Sequence, residues 1–102
     1  MDKNKAFNDV KEILTKKGIE FTVEKDMDVI IAKAGKNVLQ WFYFTKKSIS
    51  IASSVIIGKK RFETSSTYKW YEDIEEFCFI GGDLWIREKS LGYTTITLKK
   101  DI

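Results

Sequence analysis

The sequence predicts an α+β fold in which an N-terminal helix packs on a mostly antiparallel β-meander sheet. Two observations lead to this class. Apolar residues recur every three to four positions near the N-terminus and every second position from Ile19 onward. The strand-like segments are joined by short polar or glycine-bearing connections, which are typical of hairpins. A chain of 102 residues is expected to form a single domain, 1–102, with one hydrophobic core.

Residues 4–17 are predicted to form the helix. Its apolar stripe consists of Ala6, Phe7, Val10, Ile13 and Leu14. Asn4 is the expected N-cap. Two lysines followed by Gly18 are typical of a helix C-terminus, because cations and a residue that tolerates positive φ favour that end.

Five strand-like segments follow the helix and are expected to pair in sequence order as an antiparallel meander. They span residues 19–24, 29–34, 38–44, 48–57 and 61–70. The last third of the chain is predicted to add a short helix, a hairpin around Gly81-Gly82-Asp83 and a final strand. These elements span residues 72–77, 77–80 with 84–87, and 93–99. The helix is suggested by the spacing of Tyr71, Ile74, Phe77 and Cys78.

Four consecutive aromatic residues, Trp41-Phe42-Tyr43-Phe44, occur within one predicted strand. Successive strand side chains point to opposite faces of a sheet, so this run places two large rings on each face. Either the segment 77–99 folds over the second face, or that face contacts a partner, which includes a homo-oligomer formed through the aromatic strand.

In the two following strands, alternation assigns the apolar residues to a single face. That expected face contains Ile49, Ile51, Phe62, Tyr68 and Trp70.

The composition argues against several functional classes. The chain has no histidine and one cysteine, Cys78, which removes the commonest general base and the usual ligands of a zinc site. We expect no enzyme activity, no metal and no cofactor. The unpaired cysteine and the lack of an apolar N-terminal segment predict a cytoplasmic protein, and no apolar stretch reaches the length of a membrane span.

Six cations are expected at one end of the sheet, because alternate turns of a meander lie at the same end. They are Lys16, Lys17, Lys36, Lys59, Lys60 and Arg61. Such a cluster can contact phosphates, although lysine is also common at solvated turns.

The order of one helix followed by three strands resembles small phage-encoded inhibitors of type II CRISPR nucleases. Two local segments, 71–77 and 95–99, are similar to the C-terminal part of one such anti-CRISPR protein. That inhibitor is strongly acidic and imitates DNA, whereas this chain has a net charge of +3. The resemblance therefore implies only that its acidic residues contact a basic groove; they are Glu72, Asp73, Glu75 and Glu76.

The sequence predicts a small non-enzymatic binding module, a phage-type inhibitor or adaptor that occupies the surface of a partner protein. Tryptophan and tyrosine are enriched at binding hot spots, and the candidates are Trp41, Tyr43, Trp70 and Trp85. The alternative is a nucleic-acid-binding module in which the cationic end grips phosphates and Trp41 stacks on a base.

Overall fold

A computed structural model describes residues 1–26 and 28–98. The chain begins with helix α1, Lys3–Lys16, whose buried stripe is Ala6, Phe7, Val10 and Leu14. The N-cap is Asp2, because its carboxylate accepts a hydrogen bond from the Lys5 backbone N–H at 2.9 Å. The expectation of Asn4 at that position is wrong, since Asn4 lies inside the helix.

The predicted meander is confirmed as a five-stranded antiparallel sheet in which the strands follow sequence order. The strands are β1 Phe21–Glu24, β2 Val29–Gly35, β3 Val38–Phe44, β4 Ser48–Ile57 and β5 Lys60–Trp70. A second, three-stranded antiparallel sheet follows. Its strands are β6 Ile74–Ile80, β7 Asp83–Glu88 and β8 Tyr93–Thr97. The fold is therefore α+β; Lys99, in the predicted final strand, lies outside the described residues.

The predicted helix over 72–77 is wrong. A single 3₁₀ turn, Tyr71–Asp73, leads directly into β6, and a β-bulge follows between Ile74 and Glu76. Tyr71, Ile74 and Phe77 are all buried. The 3₁₀ turn accounts for the spacing of three residues between Tyr71 and Ile74, and the extra residue of the bulge accounts for the spacing of three between Ile74 and Phe77. Together they imitate the apolar period of an α-helix.

The core lies between the two sheets and α1. The face of the five-stranded sheet that points into it, here called the inner face, contributes Ile30, Phe42, Ile49 and Ile51. Helix α1 contributes its apolar stripe, and the second sheet contributes Ile74, Phe77, Leu84, Ile86 and Ile96. Strands β6 to β8 therefore cover the inner face, together with α1, and the opposite face is not part of this cluster.

Candidate binding surface

The outer face of the five-stranded sheet, which points away from the core, has four aromatic side chains. Trp41 and Tyr43 lie on β3, and Tyr68 and Trp70 lie on β5. The register aligns them, because Tyr43 pairs with Ser50 of β4 and Ser50 pairs with Tyr68. Directly paired residues point to the same face of a sheet, so the four rings occupy one surface.

A strip of small side chains on β4, here called the trough, lies between these aromatic pairs on the outer face. Strand β4 separates them and places only small side chains there, including Ser50 and Ala52. Because neighbouring strands are about 4.8 Å apart, β3 and β5 are separated by about 10 Å across the trough. The register therefore places a strip of small side chains between the aromatic side chains of β3 and those of β5.

Trp41 is fixed by three neighbours. Its indole Nε1 donates a hydrogen bond to Ser54 Oγ at 3.0 Å. The Arg61 guanidinium lies 4.4 Å from the centre of the ring, and the Tyr43 ring lies nearly parallel to it at a centroid distance of 6.1 Å. The register places Arg61 and Tyr43 on opposite sides of Trp41 along the strand direction. The Arg61 guanidinium therefore covers one face of the indole, and the nearly parallel Tyr43 ring lies on its other side along the strand.

Tyr68 and Trp70 are more accessible, with 52% and 45% of their surface exposed. Their rings meet edge to face at 5.4 Å. The expectation that they share a face with Ile49 and Ile51 is wrong, since Ile49 pairs with Lys69 and Ile51 with Thr67. The inner face of β5 is polar because it carries Thr67 and Lys69, and the Lys69 ammonium is compensated by Glu88 on the second sheet at 3.0 Å.

Phe62 points to the opposite face of β5 from Tyr68 and Trp70. A β-bulge changes the register between β4 and β5 at Ser53/Ser54, which shifts the alternation of side chains on β5 by one position. Phe62 pairs with Val55, and Val55 pairs with the buried Val38. Phe62 is still 49% exposed, because the end of the β4–β5 hairpin carries it beyond the core.

Cations border the outer face at the β3–β4 turn. A cleft of about 410 Å³ lies beside Tyr43, and Lys3, Lys25 and Lys46 line it. Among the described residues that line it, Asp28 is the one acid, and it pairs with Lys3. The cleft therefore carries an excess of positive charge next to an aromatic ring, an environment that suits an anionic group of a partner.

Charge is segregated between the two sheets. Residues 1–71 contain 14 Lys and Arg against 8 Asp and Glu, whereas residues 72–98 contain 2 against 6. The part of the chain that forms α1 and the five-stranded sheet is basic, and the part that forms the second sheet is acidic. A partner that approaches the aromatic surface therefore meets a positive field.

The topology places the β2–β3 and β4–β5 turns, which carry Lys36 and the segment 59–61, at the same end of the sheet. Part of this cationic cluster is engaged within the chain. Lys16 pairs with Glu12 at 2.7 Å, Lys17 lies over the Phe79 ring at 5.0 Å, and Arg61 packs on Trp41. The engaged charges are less available for phosphate contacts than the sequence pattern indicates.

Trp85 does not join the other predicted contacts. It pairs with Cys78 and Thr95 on the second sheet, where its ring meets Tyr93 edge to face at 5.5 Å. It points to the surface of that sheet opposite the core, since its neighbours Leu84 and Ile86 are buried. The predicted tryptophans therefore belong to two separate surfaces. The exposed Glu72 and Asp73 lie at the C-terminal end of β5.

Sequence reasoning missed Tyr68 and the cleft lysines. Alternation placed Tyr68 on the same face as Ile49 and Ile51, because it separates the two faces of β5 without showing which one is inside. Lys3, Lys25 and Lys46 come from three separate segments, and only the fold brings them together.

The described residues contain no group of three or more Asp, Glu, Cys or His side chains placed to hold a metal ion. Within the same ranges, no helix combines the length and apolar character needed to cross a membrane. Compared with known protein families, curated proteins and solved structures, the chain matches none of them. Its function must therefore be argued from the surface itself.

Proposed function

We propose that this protein is a small non-enzymatic binding module that holds a partner protein on the outer face of its five-stranded sheet. The observation that carries the proposal is the set of four aromatic side chains on a face that the core does not use. Large aromatic side chains at a surface are typical of binding hot spots, because they bury much area with few rotatable bonds. The module acts by occupying its partner's surface, as a phage-type inhibitor or adaptor in the cytoplasm does.

The surrounding charge favours an acidic partner. The cleft with Lys3, Lys25 and Lys46 adjoins Tyr43, and Arg61 lies beside Trp41 at the other end of the trough. Complementary charge speeds association and orients the two proteins, while the aromatic contacts supply most of the affinity. We therefore propose that the partner presents an apolar strip bordered by Asp and Glu.

A nucleic-acid-binding module is the second candidate, because the topology places Lys36 and the segment 59–61 at one end of the sheet. We rank it lower on the geometry of Trp41. Stacking on a base requires a free ring face; Arg61 covers one face of this indole, and the Tyr43 ring lies beside it on the other side. A base could stack there only after Arg61 moved away.

The test is affinity capture with three immobilised proteins: the wild type, the double variant Tyr43→Ala/Tyr68→Ala and the control Tyr93→Ala. Tyr93 is 58% exposed on the second sheet, so its removal deletes a surface ring of the same kind elsewhere. We expect a protein that the wild type and Tyr93→Ala capture and the double variant does not. Capture that survives in the double variant, or is lost only in Tyr93→Ala, would contradict the assignment of this surface.

A parallel measurement separates the two candidates. Fluorescence anisotropy with single-stranded oligonucleotides at low salt is expected to show no binding. Binding that weakens steeply with salt and is reduced in Lys59→Ala/Lys60→Ala/Arg61→Ala would favour the nucleic-acid module, because phosphate contacts release counterions.

A further inference from the structure

Strand β5 is the last strand of its sheet, so one of its edges has no neighbour among the described residues. The Tyr71 backbone N–H donates to Lys47 O at 2.9 Å, which directs it toward β4. Residues of an antiparallel strand alternate in the direction of their backbone groups. The N–H and C=O groups of Ser66, Tyr68 and Trp70 therefore point away from β4, toward the free edge.

The central part of this edge is open to another strand. Proteins protect exposed edges with bulges, prolines and inward-pointing charges. Here the bulge opposite Ser53/Ser54 lies before Ser65, and the chain contains no proline. The one charged residue in 65–70 is Lys69, whose ammonium is held by Glu88 on the inner side. Six consecutive residues, 65–70, thus offer a regular edge with small side chains over 65–67.

Opposite charges flank the open edge. Lys59 and Lys60 precede it at the hairpin tip, and Glu72 and Asp73 follow it in the 3₁₀ turn. All four residues are exposed. When a strand with this pattern pairs antiparallel with a copy of itself, the basic end of each copy meets the acidic end of the other. Glu63 lies between the lysines and the open edge, but Lys59, Lys60 and Arg61 leave this end with a net positive charge. Both ends of the pairing are then attractive, which makes a second copy of this chain the complementary occupant.

We propose that two copies of this chain associate through their β5 edges, antiparallel and about a two-fold axis near Thr67. In this register the outward backbone groups of Ser66 face those of Tyr68 in the other copy, and the two five-stranded sheets become one continuous sheet. Such an interface is isologous, as in most dimers. The inference does not rest on the proposed partner binding. The dimer leaves the outer faces of both copies open on the same side of the joined sheet, which doubles the aromatic surface.

Sedimentation equilibrium with charge-exchanged variants tests this dimer. One variant is Lys59→Glu/Lys60→Glu and the other is Glu72→Lys/Asp73→Lys; both leave the Arg61–Trp41 contact in place. We expect a dimer for the wild type, a monomer for each variant alone and a heterodimer when the two variants are mixed, because mixing restores opposite charges at both ends. A monomeric wild type, variants that dimerise as the wild type does, or a mixture that stays monomeric would each overturn the proposal.

Proline substitutions provide a second measurement that does not depend on charge. Ser66→Pro removes an N–H that points to the free edge, so the ladder between β4 and β5 keeps its hydrogen bonds. We expect this variant to retain the wild-type circular dichroism spectrum and to be monomeric. Dimerisation of Ser66→Pro with wild-type affinity would contradict edge pairing. The matched substitution Thr67→Pro removes an N–H directed at β4, and its greater loss of thermal stability checks the assigned strand orientation.

Discussion

Lys69 on β5 and Glu88 on β7 form an ion pair that joins the two sheets, with 3.0 Å between Nζ and Oε1. The other carboxylate oxygen of Glu88 accepts a hydrogen bond from Thr94 Oγ1 at 3.2 Å. The two charged side chains are only 24% and 17% exposed. The pair compensates the charge of Lys69 on the inner face of β5, and by strand alternation Tyr68 and Trp70 then point outward.

Acid is expected to weaken this connection between the sheets. The hydrogen bond from Lys69 lowers the pKa of Glu88 below its usual value of 4.5. Because the carboxyl binds its proton more weakly in the folded than in the unfolded chain, its contribution is present above the unfolded pKa and is lost as the pH falls through the folded pKa. The free energy of unfolding, measured in urea from neutral to acidic pH, should show this loss. In Glu88→Gln the free energy of unfolding should depend less on acid. Equal acid dependence in the two proteins would contradict the role of the pair.

Tyr71 is expected to affect stability at alkaline pH. Burial raises its pKa from 10.0 to about 12, and its hydroxyl donates a hydrogen bond to Thr45 O at 2.7 Å. Since the pKa of Tyr71 is higher in the folded than in the unfolded chain, its hydroxyl contributes fully to the free energy of unfolding below pH 10. This contribution is lost as the pH rises toward 12. Ultraviolet titration of tyrosinate should find one group that ionises last. That group should be absent in Tyr71→Phe; its persistence there would assign it to another tyrosine.

Removal of the Arg61 side chain should expose Trp41. The guanidinium lies 4.4 Å from the ring centre, and a cation–π contact at a partly exposed site contributes about 0.5 to 1 kcal/mol. In a Trp70→Phe/Trp85→Phe background, Arg61→Ala should shift the Trp41 fluorescence to longer wavelength and increase quenching by acrylamide. Arg61→Lys provides the matched control, because it retains the charge without the planar group. Unchanged quenching in Arg61→Ala would show that the indole is not covered in solution.

A buried polar group also connects the sheets. Gln40, which is 1% exposed, donates from Nε2 to Thr97 O at 2.9 Å and accepts from Ser53 Oγ at 2.8 Å. Gln40→Leu leaves both partners without their hydrogen bonds, and each unsatisfied buried group costs about 1 to 3 kcal/mol. Urea unfolding of Gln40→Leu should show a decrease of this size in the free energy of unfolding. The double variant Gln40→Leu/Ser53→Ala should recover part of it, and a greater loss in the double variant would contradict this hydrogen-bond assignment.

The fold was predictable where the signals are local. The period-two alternation and the short connections specify the five-stranded meander, and the predicted strand 38–44 coincides with β3. The predicted helix over 72–77 is wrong because a 3₁₀ turn and a bulge imitate a helical period. Both irregularities depend on tertiary contacts, since Tyr71 bonds to Thr45, 26 residues earlier, and the bulge lies in the pairing of β6 with β7.

The candidate surface was predictable only in part. The aromatic run identified Trp41 and Tyr43, but alternation alone could not tell which face of β5 is inside. That choice depends on Lys69 reaching Glu88, 19 residues further along the chain. The separation of Trp85 from the other tryptophans likewise follows from the division of the strands into two sheets.

The central claim is that a partner protein binds the outer aromatic face, and isothermal titration calorimetry with the captured partner tests it most directly. Truncation of a hot-spot side chain costs about 2 kcal/mol or more. Tyr43→Ala/Tyr68→Ala should therefore raise the dissociation constant at least about 30-fold, since about 1.4 kcal/mol corresponds to a factor of ten. Tyr93→Ala should bind as the wild type does. Wild-type affinity in the double variant, with circular dichroism showing an intact fold, would contradict the claim.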